Sequence, residues 1–163
     1  MLRFCFACIC FYILITSSYA EEGVYKVTYV FDGDTVKLRP KGSDDPNDEF
    51  KLRLTDIDAP ERNQAYGLIS RRALMKLCKG KNIIATVQIS GTDKYQRSIG
   101  KLQCNGVDAS SYQAEHGLAW HYAQYSNNVA IYKAAKNARR LTLGLWADEN
   151  PIAPWNWRHE HSH

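Results

Sequence analysis

The sequence predicts an α+β domain, a small antiparallel barrel of five short strands with three α-helices on one side. Five segments rich in Val, Ile, Leu, Tyr and Thr end at turn residues, as strands do. Three others repeat their apolar residues near the helical period. The chain has 163 residues without an internal repeat or low-complexity tract, so one domain is expected. Hydrophobic residues make up 45%, enough for a core, and the 23% charged content argues against wholesale disorder.

Val24 to Val30 alternates imperfectly and forms the first strand. Asp32-Gly33-Asp34 breaks it as a tight turn. Thr35 to Arg39 resumes as the second strand, and Pro40 to Asp48 is a polar surface loop. Phe50 to Leu54 alternates cleanly as the third strand, and Pro60 ends what precedes it. From Leu68 the period changes. Leu68, Ala73, Leu74, Leu77 and Cys78 share one helix face, which Gly80 closes. Ile83 to Ile89 and Ile99 to Cys104 are the fourth and fifth strands, followed by an Asn105-Gly106 turn. Val107 to His116 is a short helix closed by Gly117. Val129 to Leu143 is the third helix, stopped by Gly144. After Trp146 the chain carries Pro151, Pro154, Trp155 and Trp157 and should be irregular.

Residues 1–20 differ in kind. Arg3 is their only formal charge, and Phe4 to Ile15 is an apolar run too short to span a bilayer comfortably. Ser18-Tyr19-Ala20 follows as a small-x-small cleavage site, so the segment reads as a secretory signal peptide. An uncleaved membrane anchor is the alternative. Export would place the mature domain, residues 21–158 with a disordered tail at 159–163, in the periplasm or the medium. No stable membrane association is expected after cleavage. Removal of Arg3 lowers the formal charge from +4 to +3, a mild bias toward polyanions or simply a solubility setting. Of five cysteines only Cys78 and Cys104 remain. Two cysteines in an exported chain favour a disulfide, the alternative being two small buried side chains. No Cys-x-x-Cys survives there, which removes support for a zinc knuckle or a thioredoxin-like motif.

Four stretches put opposite charges where a phosphodiester would need them: Asp32-Gly33-Asp34-Thr35, Arg53, Asp58-Ala59-Pro60-Glu61 and Asp93-Lys94-Tyr95-Gln96-Arg97. Aspartates are hard oxygen donors that suit calcium or magnesium better than zinc. Asp34 and Asp58 sit at ends of strands that a barrel could bring together. A carboxylate beside a cation, such as Glu61 after the stiff Pro60, can take a proton from water. Arg53 and Arg97 can each present a forked donor to phosphate and offset the charge of a five-coordinate phosphorus. Alone, each of these residues has an ordinary reading as a turn former or surface charge. The chemistry rests on their conjunction.

In that order the blocks resemble the thermonuclease (staphylococcal nuclease-like) family. Val30-Phe31-Asp32-Gly33-Asp34-Thr35-Val36-Lys37-Leu38 is similar to its opening signature, and Arg53 through Glu61 to its second block. Asp93 through Arg97 is similar to the third, with Gln113 through Trp120 and Gly144-Leu145-Trp146 to later, less specific ones. The resemblance spans Val24 to Trp157. It implies an OB-fold barrel with three helices that cleaves DNA and RNA, typically with calcium, and leaves 3′-phosphates. It also implies Asp34 and Asp58 as metal ligands, joined by the backbone carbonyl of Ala59 where relatives carry Thr. Asp32 supports the metal from behind, Glu61 is the general base, and Arg53 and Arg97 bind phosphate. Lys94, Tyr95, Tyr122 and Tyr125 are the expected substrate contacts, because bases stack on aromatic faces with little sequence preference. Trp155 and Trp157 should pin the tail to the domain.

Two departures stand out. The stretch from Glu61 to Tyr66 is shorter than the family's mobile basic loop, and Gln96 replaces the usual Gly. A positive φ at that position would strain glutamine. The resulting expectation is an exported monomer, a calcium-dependent endonuclease with little sugar specificity and with DNA and RNA as substrates. Family domains that bind without cleaving usually lack the acidic or arginine positions, all of which are present here.

Overall fold

The computed structural model describes residues 23–161, so the expected signal peptide lies outside the described residues. Strands β1 (Gly23–Val30), β2 (Thr35–Pro40), β3 (Phe50–Leu54), β5 (Ala85–Thr92) and β6 (Ser98–Cys104) close into an OB-fold barrel. Strand β4 (Ile57–Asp58) lies between β3 and the first helix and pairs outside the barrel. Neighbouring barrel strands run antiparallel except at the closure, where β3 and β6 are parallel. The barrel is therefore mixed rather than wholly antiparallel. An odd ring of strands cannot alternate direction throughout, so one pair must run the same way.

That closure places Arg53. In β3 the inward residues are Leu52 and Leu54, both buried, and the pleat turns Arg53 to the other face. It pairs with Thr35 on one side and Ile99 on the other. The barrel interior joins Val30, Val36, Leu38, Leu52, Leu54, Val87 and Leu102 in one core.

Helix α1 (Gly67–Cys78) packs on the core through Leu74 and Cys78. Its buried face runs through Gly67 and Ser70, while Leu68, expected inside, is 46% exposed. At Gly67 an added Cβ would collide with the backbone carbonyl of Glu61, so the helix starts where only glycine allows that approach. The short stretch before it folds as successive turns, Gln64 N–H to Glu61 C=O and Gly67 N–H to Gln64 C=O. The α1 end is tied to the end of β6 by a disulfide between Cys78 and Cys104. The two-residue strand β7 (Val107–Asp108) turns back on β6 before α2 (Ala109–Glu115), so this helix is shorter than its apolar pattern suggests. Asp108 caps it through the Ser111 N–H.

Strand β8 (Trp120–His121) pairs with β4, a two-residue ladder too short to give a sequence pattern. Helix α3 (Val129–Arg140) ends before the Leu143 expected, after a start capped by Asn128. The chain beyond Trp146 is not irregular throughout. Pro154 opens a fourth helix, α4 (Pro154–Glu160), so the described residues hold four α-helices where three were expected, and His159 and Glu160 of the expected tail belong to it. Proline at the first helical position loses no hydrogen bond. Trp155 stacks on Tyr122 and meets Trp120 edge-on, and the Gln64 amide donates to the Ile152 carbonyl. Among the described residues no helix is long and apolar enough to cross a membrane.

Candidate active site

One open cleft of about 1330 Å³ is lined by Asp32, Asp34, Arg53, Asp58, Ala59, Glu61, Lys94, Tyr95, Arg97, Tyr122 and Tyr125, with Arg158 among its other walls. Every residue singled out for chemistry in the sequence therefore borders the same space, but they do not all touch.

Asp34 immediately precedes β2 and is 4% exposed. Its own amide donates to the Asp32 side chain at 2.9 Å, which makes the Asp-Gly-Asp turn. The Thr35 hydroxyl and the Ala59 N–H donate to its carboxylate. The turn seats closely: at Gly33 a Cβ would collide with Ser70 and press on Ala59. Gln113, fully buried, donates to the Gly33 carbonyl at 2.6 Å and to Ser70 at 3.1 Å. Sequence reasoning assigned Gln113 no role. Its signals there were its place at the start of a less specific family block and a long polar side chain in a short helix.

Arg53 joins the two aspartates. Its Nη1 lies 3.2 Å from Asp34 and its Nη2 2.8 Å from Asp58, while Nη1 also donates to the Leu54 and Ile57 carbonyls. Burial pushes the Asp34 carboxyl up to about 7 against the pull of Arg53, with the Asp32 charge adding to the rise. Burial also raises Asp58, against hydrogen bonding from Arg158. Two carboxylates that resist ionising together are a site where added positive charge is welcome.

Glu61 lies at the rim. Its backbone N–H donates to the Gln64 side chain, and its carboxylate accepts from Arg158 at 2.8 Å. Arg158, on α4, was not foreseen as a site residue. It also contacts both Asp58 oxygens, at 2.7 and 3.2 Å. Burial works to lower its pKa, yet the hydrogen bonds it donates to Asp58 and Glu61 outweigh it and hold the guanidinium more firmly protonated. The signal in the sequence was the Trp-x-Trp-Arg order. Aromatic residues in a tail imply packing, and packing carries the neighbouring arginine with it.

Arg97 stands apart, on the β5–β6 turn. Asp93 receives its Nε at 2.7 Å and its backbone N–H at 3.0 Å. Arg97 and Lys94 both lie over the Tyr95 ring, at 5.5 and 5.0 Å. In this turn Gln96 has φ 60, the left-handed conformation that glycine would accept without strain. Tyr95 is 67% exposed and Tyr125 71%, large aromatic areas for a chain to leave in water. Tyr122 is held by its N–H to the Asp56 carbonyl, and burial followed by the Asp58 charge raises its hydroxyl pKa.

The donor set suits a hard cation. The buried groups are carboxylates, and no nitrogen or sulfur ligand accompanies them. Among the described residues no three His, Cys, Asp or Glu side chains form a ready metal cluster, so backbone carbonyls and water would have to complete the shell.

The staphylococcal nuclease homologue family matches residues 51–148. Across 140 residues the chain is 36% identical to an uncharacterized endonuclease of Haemophilus influenzae, covering 86% of this chain and 75% of that protein. An uncharacterized endonuclease of Escherichia coli is 34% identical over 135 residues, 82% of this chain and 84% of the relative. The staphylococcal-like nuclease CAN1 of Arabidopsis thaliana is 37% identical over 110 residues. There the match covers 68% of this chain and 33% of the plant protein, so the chain spans about a third of that relative.

Proposed function

The chain belongs to the staphylococcal nuclease homologue family, and from that membership we propose that it is an exported, metal-dependent endonuclease hydrolysing DNA and RNA. The observation that carries this reading is the Arg53 bridge between Asp34 and Asp58, at the bottom of a cleft rimmed by Glu61, Tyr95 and Tyr125.

Asp34, Asp58 and the Ala59 carbonyl would hold the cation, calcium by family resemblance. Bound there, it would neutralise charge on the scissile phosphate and lower the pKa of a nearby water. Glu61 takes the proton of the attacking water as its oxygen bonds to phosphorus. The bond from phosphorus to the 5′-oxygen breaks, leaving a 3′-phosphate; the departing oxygen takes a proton from solvent water, and Glu61 returns its own proton to solvent. Arg53 and Arg97 offset the extra charge of the five-coordinate phosphorus. Tyr95, Tyr122 and Tyr125 stack on bases and Lys94 meets the backbone, contacts that ignore the 2′-hydroxyl and so fit both DNA and RNA. Asp32 steadies the turn that presents Asp34.

The test is digestion of single-stranded DNA, duplex DNA and RNA by the mature chain, with calcium or EGTA, beside Glu61→Gln. Cleavage should need calcium. Glu61→Gln should still bind oligonucleotide by fluorescence anisotropy but cleave ~10²–10⁴-fold more slowly. Full activity in EGTA refutes the metal, and a normal rate for Glu61→Gln removes the base.

A further inference from the structure

We propose that Arg158 is a positioning residue that stands in for the divalent ion: its guanidinium holds Asp58 and Glu61, and a cation binds at Asp58 only by displacing it. This rests on the reading of Asp58 as a metal ligand. The geometry points to competition for the same electron pairs. Asp58 Oδ1 accepts from Arg53 at 2.8 Å and from Arg158 at 3.2 Å, while Oδ2 accepts from Arg158 at 2.7 Å. A carboxylate offers about four lone-pair sites, so Oδ1 is full and Oδ2 half engaged. An incoming cation would also meet two guanidinium charges within hydrogen-bonding distance of its ligand.

One of the two must give way, and the structure distinguishes them. The Arg53 side chain is 14% exposed and is held by Asp34 and by the Leu54 and Ile57 carbonyls. Arg158 is 43% exposed, and its hydrogen bonds among the described residues go to Asp58 and Glu61 alone. Its stem projects from α4, whose own anchors are independent of the charges. Trp155 stacks on Tyr122 with centroids 5.5 Å apart, and Trp120 meets Trp155 at 5.6 Å. The side chain can therefore swing out while the helix stays, and a tethered guanidinium competes at high local concentration. Until it leaves, Arg158 keeps Asp58 and Glu61 from repelling each other and holds both near the position they are needed in.

Calcium titration by calorimetry on the mature wild type, Arg158→Gln and Arg158→Lys decides the point. Arg158→Gln should bind calcium about tenfold or more tighter than wild type. Its calcium-induced rise in Tm should also be larger, although its calcium-free Tm is lower. Lysine keeps the charge but not the two-pronged grip, so Arg158→Lys should fall between them. A merely supportive side chain would weaken calcium binding when removed. Equal or weaker affinity in Arg158→Gln, with wild type binding normally, overturns the proposal. Should the glutamine variant fail to fold, the same criterion applies to Arg158→Lys against wild type. If neither wild type nor variant binds calcium and EGTA leaves cleavage intact, the metal reading falls, and the proposal falls with it.

Discussion

Asp34, one residue before β2, and Arg53 of β3 form an ion pair of 3.2 Å, set by a ladder that pairs Thr35 with Arg53. A slip of one residue would turn Arg53 into the barrel and a leucine into the cleft. The same guanidinium serves Asp58, and both aspartates are almost fully buried. Removing Arg53 takes from Asp34 its guanidinium partner and leaves Asp58 to Arg158 alone. Arg53→Gln should lose ~3–5 kcal/mol of stability, the usual cost of breaking a buried pair. Arg97 pairs with Asp93 on a turn with its side chain 31% exposed, and its pair lies within one loop. Arg97→Gln should lose at most ~1 kcal/mol. Both should slow cleavage ~10²-fold or more if both meet the phosphate. Urea unfolding beside plasmid cleavage separates the two effects, and wild-type stability in Arg53→Gln would contradict the bridging role.

The same buried pair gives a pH dependence. Asp34 titrates near 3.8 in the unfolded chain and at about 7 in the folded one, raised by burial against Arg53. The folded state therefore holds this proton more tightly. Its contribution to stability is complete below about 4 and is lost as pH rises through about 7. Burial raises Asp58 in the same direction. In EDTA, Tm should fall from pH 5 to pH 8, and Asp34→Asn should flatten that slope. Calcium requires the ionised carboxylate, so it should raise Tm more at pH 8 than at pH 5. Calorimetric scans across that range are the check, and a metal-free Tm that climbs with pH would contradict the assignment.

The site was more legible than the tail, for a physical reason. Asp34, Arg53 and Asp58 lie in or beside a strand with clean alternation, Phe50 to Leu54, whose pleat dictates which side chains share a face. Local pattern places these side chains, while their chemistry was readable only from their conjunction and the family resemblance. Gln96 was readable through the resemblance, in which it replaces the usual glycine, and its φ is 60. Arg158 was not readable. Its helix has seven residues, too few for a period, and its partners Asp58 and Glu61 are about a hundred positions away. Gln113 was hidden in the same way, since its contacts to Gly33 and Ser70 arise only once α2 packs on α1 and the β1–β2 turn. The parallel closure of β3 on β6 is likewise a property of the ring and of no single segment.

Cys78 and Cys104 close a loop of 26 residues between the end of α1 and the end of β6, and both are buried. By loop-closure entropy the link is worth ~3.5 kcal/mol. Neither cysteine lines the cleft, so it supports the frame and not the chemistry. The double variant Cys78→Ser/Cys104→Ser should lose about that stability in guanidinium unfolding. Its cleavage rate at a temperature where it remains folded should be unchanged. Intact mass with and without reductant tests the bond directly, and two free thiols in protein produced in an oxidising compartment would contradict it.

Gln96 offers the complementary experiment, a gain. It sits in the Asp93–Arg97 turn with φ 60, where a Cβ crowds the following carbonyl. That conformation costs a non-glycine residue ~1–2 kcal/mol. Glycine removes the clash but frees the unfolded chain, which returns ~0.4–1 kcal/mol. Gln96→Gly should therefore stabilise the protein by a net ~0.5–1 kcal/mol. The turn is pinned at both ends by Asp93, which accepts from the Tyr95 and Arg97 amides, so its shape should survive the change. Arg97 and Tyr95 would keep their places, and the cleavage rate should stay within a factor of about three. A drop in Tm would mean that the glutamine side chain makes a compensating contact. A large fall in rate at unchanged Tm would mean that its stiffness helps to hold Arg97 for the phosphate.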